Sequence, residues 1–400
     1  MSQAFDGFRV IDTTHVLAGP FASYQLGVLG AEVIKVEAPE DPDQARWQGS
    51  DPAMSDTGMG TAFMAQASNK KALALDLKTD QGRAALKRLI ATADVFVENY
   101  RPGAFEDLGL GYEEMSKINP GLIYCSISAF GSTGPRAHLT GYDNILQGFS
   151  GMMAMTSHAD DGRPLKTGAP VVDYATGTTA AFAITAALLQ RERNGGKGQF
   201  VDVSMLDVAL VLCASHITGF TWNGKHPEPK GNRFPFATIG CYEASDAPMM
   251  IAASNLHQQK RLWEALDRAD MVKTDNNQRL AGHAEEEAAL RDIIAQKPAD
   301  YWEEFLNARR IPAQRIRRME EALNDPQVAS RQVLHKLIAP DSPAHGLTVP
   351  VIAFHMAASP SQVSLPPQPV GAQTDEILME LGYGTGEIAE MRAAGAINKA

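Results

Sequence analysis

The sequence predicts an α/β fold of two domains, the larger of which contains a parallel sheet. Three observations indicate this fold. Strand-like and helix-like patterns alternate over the first half of the chain, the pattern changes after a Gly-, Pro- and Lys-rich segment at residues 223–233, and 400 residues exceed the usual size of one compact core. Because crossover helices join parallel strands, we expect helices on both faces of this sheet.

The elements of the larger domain follow one another as strand, helix and strand. Apolar, β-branched runs predict strands at residues 8–12, 31–37, 71–77, 94–98, 122–128 and 199–203. Helices are predicted from Gly19-Pro20 to about Leu29, at 80–91, at 174–193 and from Ser204 onward. Residues 41–64 are rich in Asp, Gly, Met and Gln without a clear period, which predicts a long functional loop near a ligand.

The second domain has a different pattern. Residues 241–254 alternate in the manner of antiparallel strands, and residues 256–318 are charged and helical. We therefore assign residues 1–222 to the N-terminal part of the large domain, 223–233 to a linker and 234–320 to a smaller α+β domain. Residues 321–400 are assigned to a C-terminal segment that returns to the large domain.

The composition argues against several kinds of partner. The chain has 36 Lys and Arg residues against 47 Asp and Glu residues, a formal net charge of −11, which disfavours nucleic acid and anionic membranes. The N-terminal stretch does not resemble a secretory signal, and the apolar stretches 178–189 and 208–222 are shorter than the ~20 residues of a membrane span. Cys125, Cys213 and Cys241 form no CxxC pair, so we expect a reduced, cytoplasmic protein.

Common nucleotide, hydrolase and metal motifs are absent from the sequence. Between Asp12 and Phe21 the only glycine is Gly19, so the G-x-G-x-x-G turn of dinucleotide-binding proteins is missing. The chain also lacks a Walker loop, a G-x-S-x-G elbow and the H-x-x-x-H and HExxH histidine spacings. We therefore expect no metal and no permanently bound cofactor.

Asp173 is the residue that most invites a functional interpretation. It follows an apolar run, residues 169–172, and precedes a long Ala- and Thr-rich helix. Asp is a common N-cap residue, because its carboxylate accepts hydrogen bonds from the free amides of the first helical turn. The same position suits a nucleophile that projects toward helix-terminal amides. The residues alone leave both roles open.

Blocks that resemble one known family are spread in order over nearly the whole chain. They are RVIDTTHVLAGPFA (residues 9–22), LGAEVIKVE (29–37), NKKALALDLK (69–78), VENYRPG (97–103), SISAFG (126–131) with Gly134-Pro135, GYD (141–143), GKGQ (196–199) with DVS (202–204), and DEIL (375–378) with LGY (381–383). In this order they resemble the class III CoA-transferases, the group that includes formyl-CoA:oxalate and carnitine CoA-transferases.

The resemblance implies a fold and a covalent mechanism. The expected fold is a large Rossmann-like parallel-sheet domain with a smaller α+β domain, in an interlocked homodimer whose chains thread through each other. The family's nucleophilic aspartate falls on Asp173, which would attack an acyl-CoA to give a mixed anhydride and then an aspartyl-CoA thioester. CoA thioesters would be substrates and carboxylic acids the exchange partners. As an ordinary exposed carboxyl with a pKa of about 3.9, Asp173 would be ionised at neutral pH.

The resemblance also implies contacts with CoA. The residues carried over from the family are His15, Val16, Leu17, Ala18, Leu75, Lys78, Asn99, Tyr100, Arg101, Ala104 and Tyr142. Outside the family pattern, Arg233, Arg315 and Arg317 are candidates to bind the distal carboxylate of a succinyl or other dicarboxylyl donor, because guanidinium groups pair with carboxylates through two hydrogen bonds.

Some positions depart from the formyl-CoA:oxalate branch, and two other functions stay open. Ala38 replaces an arginine of that branch and residues 252–258 lack its glycines, which argues against oxalate as acceptor. The α-methylacyl-CoA racemase branch shares the fold but uses a histidine where this chain has Tyr142, with His138 and His158 nearby; a phenol is a poor acid and base near neutral pH. The other alternative is a non-catalytic CoA-binding protein, against which the intact nucleophile block argues.

Overall fold

A parallel sheet is the centre of the larger part of this computed structural model, which describes residues 2–398. Its strands are β1 (Arg9–Asp12), β2 (Glu32–Glu37), β3 (Lys70–Ala74), β4 (Val95–Glu98), β5 (Ile123–Ser128) and β6 (Gln199–Ser204). They lie in the order β3-β2-β1-β4-β5-β6, and every neighbouring pair is parallel. The predicted α/β class and parallel sheet are confirmed. Met1 of the predicted large domain, and Lys399 and Ala400 of the predicted C-terminal segment, lie outside the described residues.

The order of the strands places a crevice in the middle of the sheet. From β1 the chain moves outward through β2 to β3, then returns to the centre at β4 and moves outward the other way. The connections that follow β1 and β4 therefore diverge at the carboxyl ends of these two strands. In open parallel sheets, ligands bind in the crevice at this point.

The remaining elements, in chain order, are α1 (Ala18–Val28), α2 (Pro52–Asp56), α3 (Thr61–Met64), α4 (Asp80–Ile90), α5 (Ala104–Asp107), α6 (Tyr112–Ile118), α7 (Asp143–Phe149), α8 (Met152–Met155), α9 (Val171–Arg193), α10 (Met205–Leu212), α11 (Ala214–Asn223), β7 (Ile239–Glu243), β8 (Pro248–Ala252), α12 (Leu256–Ala265), α13 (Asn276–Ala281), α14 (His283–Ile294), α15 (Ala299–Asn307), β9 (Ala313–Arg315), α16 (Met319–Leu323), α17 (Pro326–Arg331), β10 (Leu334–Lys336), β11 (Thr348–Pro350), α18 (Thr374–Glu380) and α19 (Thr385–Ala393).

The described chain divides into two compact units. The larger unit contains the chain up to Met152, Thr167–Asn223 and the chain from Arg331 onward. The smaller unit contains Met153–Lys166 and Gly224–Ser330.

Helices cover both faces of the sheet in the larger unit. On one face, Leu86 of α4 and Ile377 of α18 are buried against strand residues. On the other face, Ala22 of α1 and Ile184 of α9 are buried in the same way. Because both faces are covered, the central strands consist of continuous apolar runs rather than an alternation of apolar and polar residues.

The smaller unit is built on a three-stranded antiparallel sheet in the order β7-β8-β9. Trp263 of α12 and Trp302 of α15 lie in its core, with Leu290 of α14. The predicted antiparallel strands at 241–254 are confirmed. The segment 256–318 was predicted to be helical, but its residues Ala313–Arg315 form β9. This strand pairs with β8 and completes the sheet.

The prediction of an irregular loop at residues 41–64 is wrong. The segment contains a 3₁₀ helix, Gln44–Trp47, and the short helices α2 and α3. The side chains of Asp43 and Asp51 cap the first two of these, and Pro52 follows Asp51 at the start of α2. Elements this short are specified by their caps, so they leave no helical period in the sequence.

The apolar helices α9, α10 and α11 pass a test for membrane spans by length and hydropathy alone. Within residues 2–398, α9 passes as a single helix, and α10 with α11 passes as a pair bent by 72°. Core helices pass the same test, and Ala180, Ile184 and Leu188 of α9 are buried against the sheet.

Candidate active site

A pocket of about 360 Å³ opens at the crevice between β1 and β4. Its walls come from the segments that follow β1, β2, β4 and β5 and from the first turns of α9 and α10. The residues that line it are His15, Val16, Leu17, Ala18, Asp41, Pro42, Gln44, Asn99, Tyr100, Arg101, Pro102, Ile127, Ser128, Ala129, Leu139, Thr140, Gly141, Tyr142, Asp173 and Met205. The fold therefore brings Asp173 together with most of the predicted CoA contacts.

Three of the predicted contacts lie outside this pocket. Leu75 is 1% exposed and belongs to the core on one face of the sheet, so its side chain is not available to a ligand. Lys78 is exposed in the turn before α4, and Ala104 is the first residue of α5. Their part in CoA binding stays a prediction.

Sequence reasoning missed the part of the wall formed by Leu139, Thr140 and Met205. Leu139 and Thr140 directly precede the recognised block GYD at 141–143. Their position next to this block is the signal that would have found them. Asp41 and Gln44 lie in the segment predicted to be near a ligand, although that segment is not the loop that was predicted.

The loop after β1 is held in an unusual backbone conformation on the pocket wall. Val16 has φ = 72°, a left-handed conformation that a β-branched residue rarely adopts. The Val16 amide donates to Asp43 Oδ1 (2.9 Å), and Gln66 Nε2 donates to the Val16 carbonyl (2.7 Å). Asn99 accepts from the His15 amide and donates to the His15 carbonyl, both at 2.8 Å. These four bonds fix the loop and join the ends of β1 and β4.

Two buried ion pairs lie next to the loop after β1. Lys70 Nζ lies 2.9 Å from Asp12 Oδ2, and Lys35 Nζ lies 3.1 Å from Asp43 Oδ2. Lys35 also donates to the Thr14 carbonyl at 2.7 Å. Burial opposes the ionisation of Asp12, but the charges of Lys70 and Lys35 outweigh it and hold the pKa of Asp12 below its ordinary value. These charged side chains therefore stabilise the loop after β1.

His15 and Tyr100 form a pair on the wall of the pocket. His15 Nε2 lies 2.5 Å from the Tyr100 hydroxyl, and the two rings meet edge to face. Burial and the positive charge of Lys35 lower the pKa of His15, which favours the neutral imidazole. Burial raises the pKa of Tyr100 to about 12, so its hydroxyl stays protonated. The pair presents neutral hydrogen-bonding groups to the pocket.

Glu98, at the end of β4, is a buried carboxyl behind the pocket. Its Oε2 accepts from the Tyr100 amide at 2.8 Å and thereby orients the turn that carries Tyr100 and Arg101. Burial raises the pKa of Glu98 to about 7, against the opposing hydrogen bonds from Ser126 and the Tyr100 amide. Arg101 itself is 61% exposed and pairs with Asp107 at 2.9 Å.

Asp173 lies in the first turn of α9, which begins at Val171 rather than at the predicted residue 174. It therefore neither ends an extended run nor caps the helix. Pro170 occupies the N-cap position and offers no side-chain hydrogen bond. Asp143 Oδ2 accepts instead from the amides of Val172 (2.7 Å) and Asp173 (3.3 Å). Because this cap comes from a residue 30 positions away, the sequence around Asp173 did not reveal it.

The environment of Asp173 differs from that of an exposed carboxyl. Burial raises its pKa to about 7, and the negative charge of Asp143 adds to the rise. Within residues 2–398, no donor lies within hydrogen-bond distance of the Asp173 carboxylate. The pKa of Asp173 therefore lies above that of the ordinary exposed carboxyl expected from the sequence.

Gly177, one helical turn after Asp173, allows α9 to lie close to α1. A Cβ atom at Gly177 would lie 2.6 Å from the Ala18 carbonyl oxygen and 3.0 Å from the Phe21 ring. Residues four apart share one face of a helix, so Asp173 and Gly177 both face the start of α1. Leu17 occupies the N-cap position of α1 without a side-chain cap. Leu17 and Ala18, at this helix start, line the same pocket as Asp173.

The arginines considered for a distal carboxylate are already paired inside the smaller unit. Arg317 lies 2.8 Å from Glu303, Arg315 lies 2.9 Å from Glu321, and Arg233 lies 3.3 Å from Glu287. Within residues 2–398, no group of three His, Cys, Asp or Glu side chains is arranged to hold a metal ion. His138 does not line the pocket, and His158 belongs to the smaller unit.

The chain resembles known proteins along most of its length. The sequence profile of CoA-transferase family III matches residues 5–374. The chain is 37% identical to an acetyl-CoA:oxalate CoA-transferase of Acetobacter aceti, over 83% of this chain and 85% of that protein. It is 36% identical to a succinate–glutarate CoA-transferase of Agrobacterium fabrum, over 94% and 95%. It is 34% identical to a succinyl-CoA:glutarate CoA-transferase of Mus musculus, over 98% and 90%.

Solved structures agree with this similarity. A CaiB/BaiF family protein from Brucella suis superposes with a TM-score of 0.82 at 30% identity, over 95% of this chain and all of that one. A hypothetical protein from Mycobacterium tuberculosis superposes with a TM-score of 0.81 at 30% identity, over 94% and 99%.

Proposed function

The chain belongs to CoA-transferase family III and is a CoA-transferase, and from this premise we propose that it exchanges CoA between a succinyl-type donor and a carboxylic acid through intermediates on Asp173. The observation that carries the proposal is the carboxylate of Asp173, which lies on the pocket wall and has no hydrogen-bond donor among the described residues. Capping and salt bridging occupy most half-buried aspartates; this one is left available for attack.

The proposed chemistry is a series of acyl exchanges that conserve the thioester. An Asp173 oxygen attacks the acyl-CoA carbonyl carbon, and the C–S bond breaks. CoA leaves as a thiolate, and a mixed anhydride between Asp173 and the acyl group remains. The thiolate then attacks the Asp173 carbonyl carbon and releases the donor acid. The acceptor carboxylate attacks the resulting aspartyl-CoA thioester, and the same two steps run in reverse order. No electrons are transferred, and water must be kept from the anhydride.

Each of these steps passes through an oxyanion that needs hydrogen-bond donors. The uncapped start of α1 supports a site for it, because Leu17 and Ala18 line the same pocket as Asp173. Free amides at a helix N-terminus, aided by the helix dipole, stabilise negative charge that develops in a transition state.

The proposed CoA site uses the pocket residues carried over from the family. His15 to Ala18 supply a fixed backbone wall, while Asn99, Tyr100 and Tyr142 supply polar groups. Arg101 supplies positive charge for a phosphate, because its side chain is exposed on the surface, where it pairs with Asp107. Lys78 and Ala104 are proposed as outer contacts, and Leu75 is proposed to contribute backbone atoms alone, because its side chain is buried.

The substrate class is proposed from the relatives rather than from the pocket. Two of the relatives named above act, by name, on succinyl or succinate and glutarate, which favours short dicarboxylates for this chain. The paired state of Arg315 and Arg317 gives no support to their proposed role in binding such an acid. The first relative is named for oxalate, so oxalate belongs in any substrate panel despite the departures at Ala38 and at 252–258.

A homodimer and a cytoplasmic location complete the proposal. The outer surfaces of α9, α10 and α11 expose Phe182 (73%), Val211 (72%) and Trp222 (89%), an apolar face that a second copy would cover in an interlocked dimer. Light scattering should give twice the mass of the chain, whereas the mass of one chain would refute the dimer. The three free cysteines fit a reducing compartment.

The test of the proposed function is an exchange assay in deuterated water. Succinyl-CoA is incubated with a panel of acids, including glutarate and oxalate, and products are identified by mass spectrometry for wild type, Asp173→Ala and the control Asp207→Ala. Asp207 is an exposed acid in the first turn of α10, so its loss should have no effect.

The outcomes separate three functions. New acyl-CoA esters without α-deuterium, lost in Asp173→Ala and kept in the control, support the proposal. Incorporation of α-deuterium without new esters would instead indicate a racemase. Binding of CoA without either product would indicate a non-catalytic protein.

A further inference from the structure

Helix α9 is capped by a residue from another helix. Asp143 is the first residue of α7, and its Oδ2 accepts from the amides of Val172 and Asp173 at 2.7 and 3.3 Å. An aspartate near a helix start commonly caps its own helix, and the carboxylate is then committed to backbone amides. Here Asp143 satisfies these amides, so the carboxylate of Asp173 is not needed for them.

Asp143 is itself held firmly in place. It is 8% exposed, and its Oδ1 accepts from Gln147 Nε2 at 2.5 Å. Gln147, which is fully buried, accepts from the Thr167 amide and donates to the Thr167 hydroxyl, both at 3.0 Å. The partners of Asp143 in this chain of bonds are uncharged, so its negative charge is not neutralised by a direct contact.

Asp143 Oδ2 lies 3.3 Å from the backbone amide nitrogen of Asp173, so its charge is close to this residue. The titratable or charged side chains that share the pocket with Asp173 are His15, Asp41, Tyr100, Arg101 and Tyr142. From α10, Asp207 is exposed, and from α1 the side chain that meets α9 at Gly177 is the uncharged Phe21. Asp143, rather than any of these groups, carries the charge that adds to burial in raising the pKa of Asp173.

We propose that Asp143 is a positioning residue for the reaction, which caps α9 in place of Asp173 and repels a charge on the nucleophile that acylation then removes. This inference rests on the proposed role of Asp173. When Asp173 attacks the thioester, its new C–O bond makes it neutral, and the negative charge passes to the CoA sulfur as the C–S bond breaks. The repulsion from Asp143 is present before this step and absent after it, so it favours the acyl and CoA adducts over the free enzyme.

The test compares three variants. Asp143→Asn keeps an acceptor oxygen for the Val172 amide and removes the charge, Asp143→Glu keeps the charge and displaces the acceptor, and Asp207→Asn is the matched control. The protonation of Asp173 is read directly, without turnover, from the pH dependence of its modification by a carbodiimide and an amine, with peptide mass spectrometry. The steady-state fraction of aspartyl-CoA adduct is measured in parallel.

Asp143→Asn should lower the labelling midpoint of Asp173 by about 0.5–1 pH unit and reduce the adduct equilibrium about three- to tenfold, since one pH unit corresponds to a factor of ten. Asp143→Glu should keep the wild-type midpoint while kcat falls, and Asp207→Asn should match wild type in both. The proposal is overturned if Asp143→Asn keeps the wild-type midpoint, or if Asp143→Glu lowers it. Should wild type show no exchange, the proposed function fails and with it the role of Asp143 in the reaction, while the labelling midpoints still decide whether Asp143 repels a charge on Asp173.

Discussion

The carboxyl groups on two walls of the pocket have pKa values that are shifted in opposite directions. On the wall after β1, Asp12 pairs with Lys70 and Asp43 pairs with Lys35, and the pKa of each carboxyl lies below its ordinary value because the lysine charges outweigh the effect of burial. On the wall that contains the first turn of α9, burial and the charge of Asp143 raise the pKa of Asp173 to about 7.

The difference separates stability from reactivity within one site. Paired carboxylates hold the strained backbone at Val16, whose φ of 72° persists only because its surroundings fix it. An unpaired carboxylate of raised basicity is a better nucleophile, but its charge costs folding free energy. Four predictions test this comparison.

Removing a cation from the paired wall should have the largest effect. Lys70→Met leaves Asp12 charged and buried without its partner, and removal of one member of a buried pair costs about 3–5 kcal/mol of the free energy of unfolding. Urea unfolding measures the loss. Lys71→Met is the matched control, because its pairs with Glu32 and Glu376 are partly exposed and contribute about 0–1 kcal/mol. Equal losses in the two variants would show that the wall after β1 is not built on its buried charges.

Separating the two walls should have the next largest effect. Gly177→Val places side-chain atoms against the Ala18 carbonyl, so α9 must move away from α1, at a cost of about 1–3 kcal/mol. The start of α1 then moves relative to Asp173, and kcat for CoA exchange should fall more than KM rises. In Gly386→Ala of α19, the new methyl group meets no neighbour, and the variant should be equal to wild type or more stable. Unchanged kcat in Gly177→Val would show that the contact does not align the site.

Neutralising the unpaired carboxylate should stabilise the protein in a pH-dependent way. Because the pKa of Asp173 is raised on folding, the stability linked to its protonated form is present at low pH and is lost as pH rises through about 7. Asp173→Asn should therefore gain about 1–2 kcal/mol relative to wild type between pH 5 and pH 8, after allowance for solvent screening. Urea unfolding at both pH values measures the gain, and Asp207→Asn should show none. A constant difference between Asp173→Asn and wild type at the two pH values would contradict the raised pKa.

The neutral pair on the pocket wall should contribute least. Tyr100→Phe removes the hydroxyl that contacts His15 Nε2, a net loss of about 0.5–1.5 kcal/mol for one hydrogen bond. We expect a small rise in KM for acyl-CoA and little change in kcat, measured by initial rates. Tyr112→Phe, in α6 and outside the pocket, is the control. A large fall in kcat would show that the pair takes part in the chemistry.

The sequence alone determined the order and type of the main elements. Most strands of the parallel sheet are short, buried apolar runs, so their composition is local and visible, as at residues 122–128. The prediction of α10 from Ser204 onward is confirmed, because Ser204 Oγ accepts from the Asp207 amide three residues later. The family was also visible, since its blocks are short strings with fixed order.

The tertiary structure alone decided the environment of Asp173, the proposed nucleophile. From the sequence, Asp173 was either an N-cap or an ordinary ionised acid. In the structure Asp143 of α7 supplies the cap, and burial raises the pKa of Asp173. The pairing of Lys70 with Asp12, 58 residues apart, and of Arg317 with Glu303 likewise could not be read from the chain. Local patterns follow from neighbours in sequence, whereas the ionisation and availability of a side chain depend on the charges and atoms that folding brings around it.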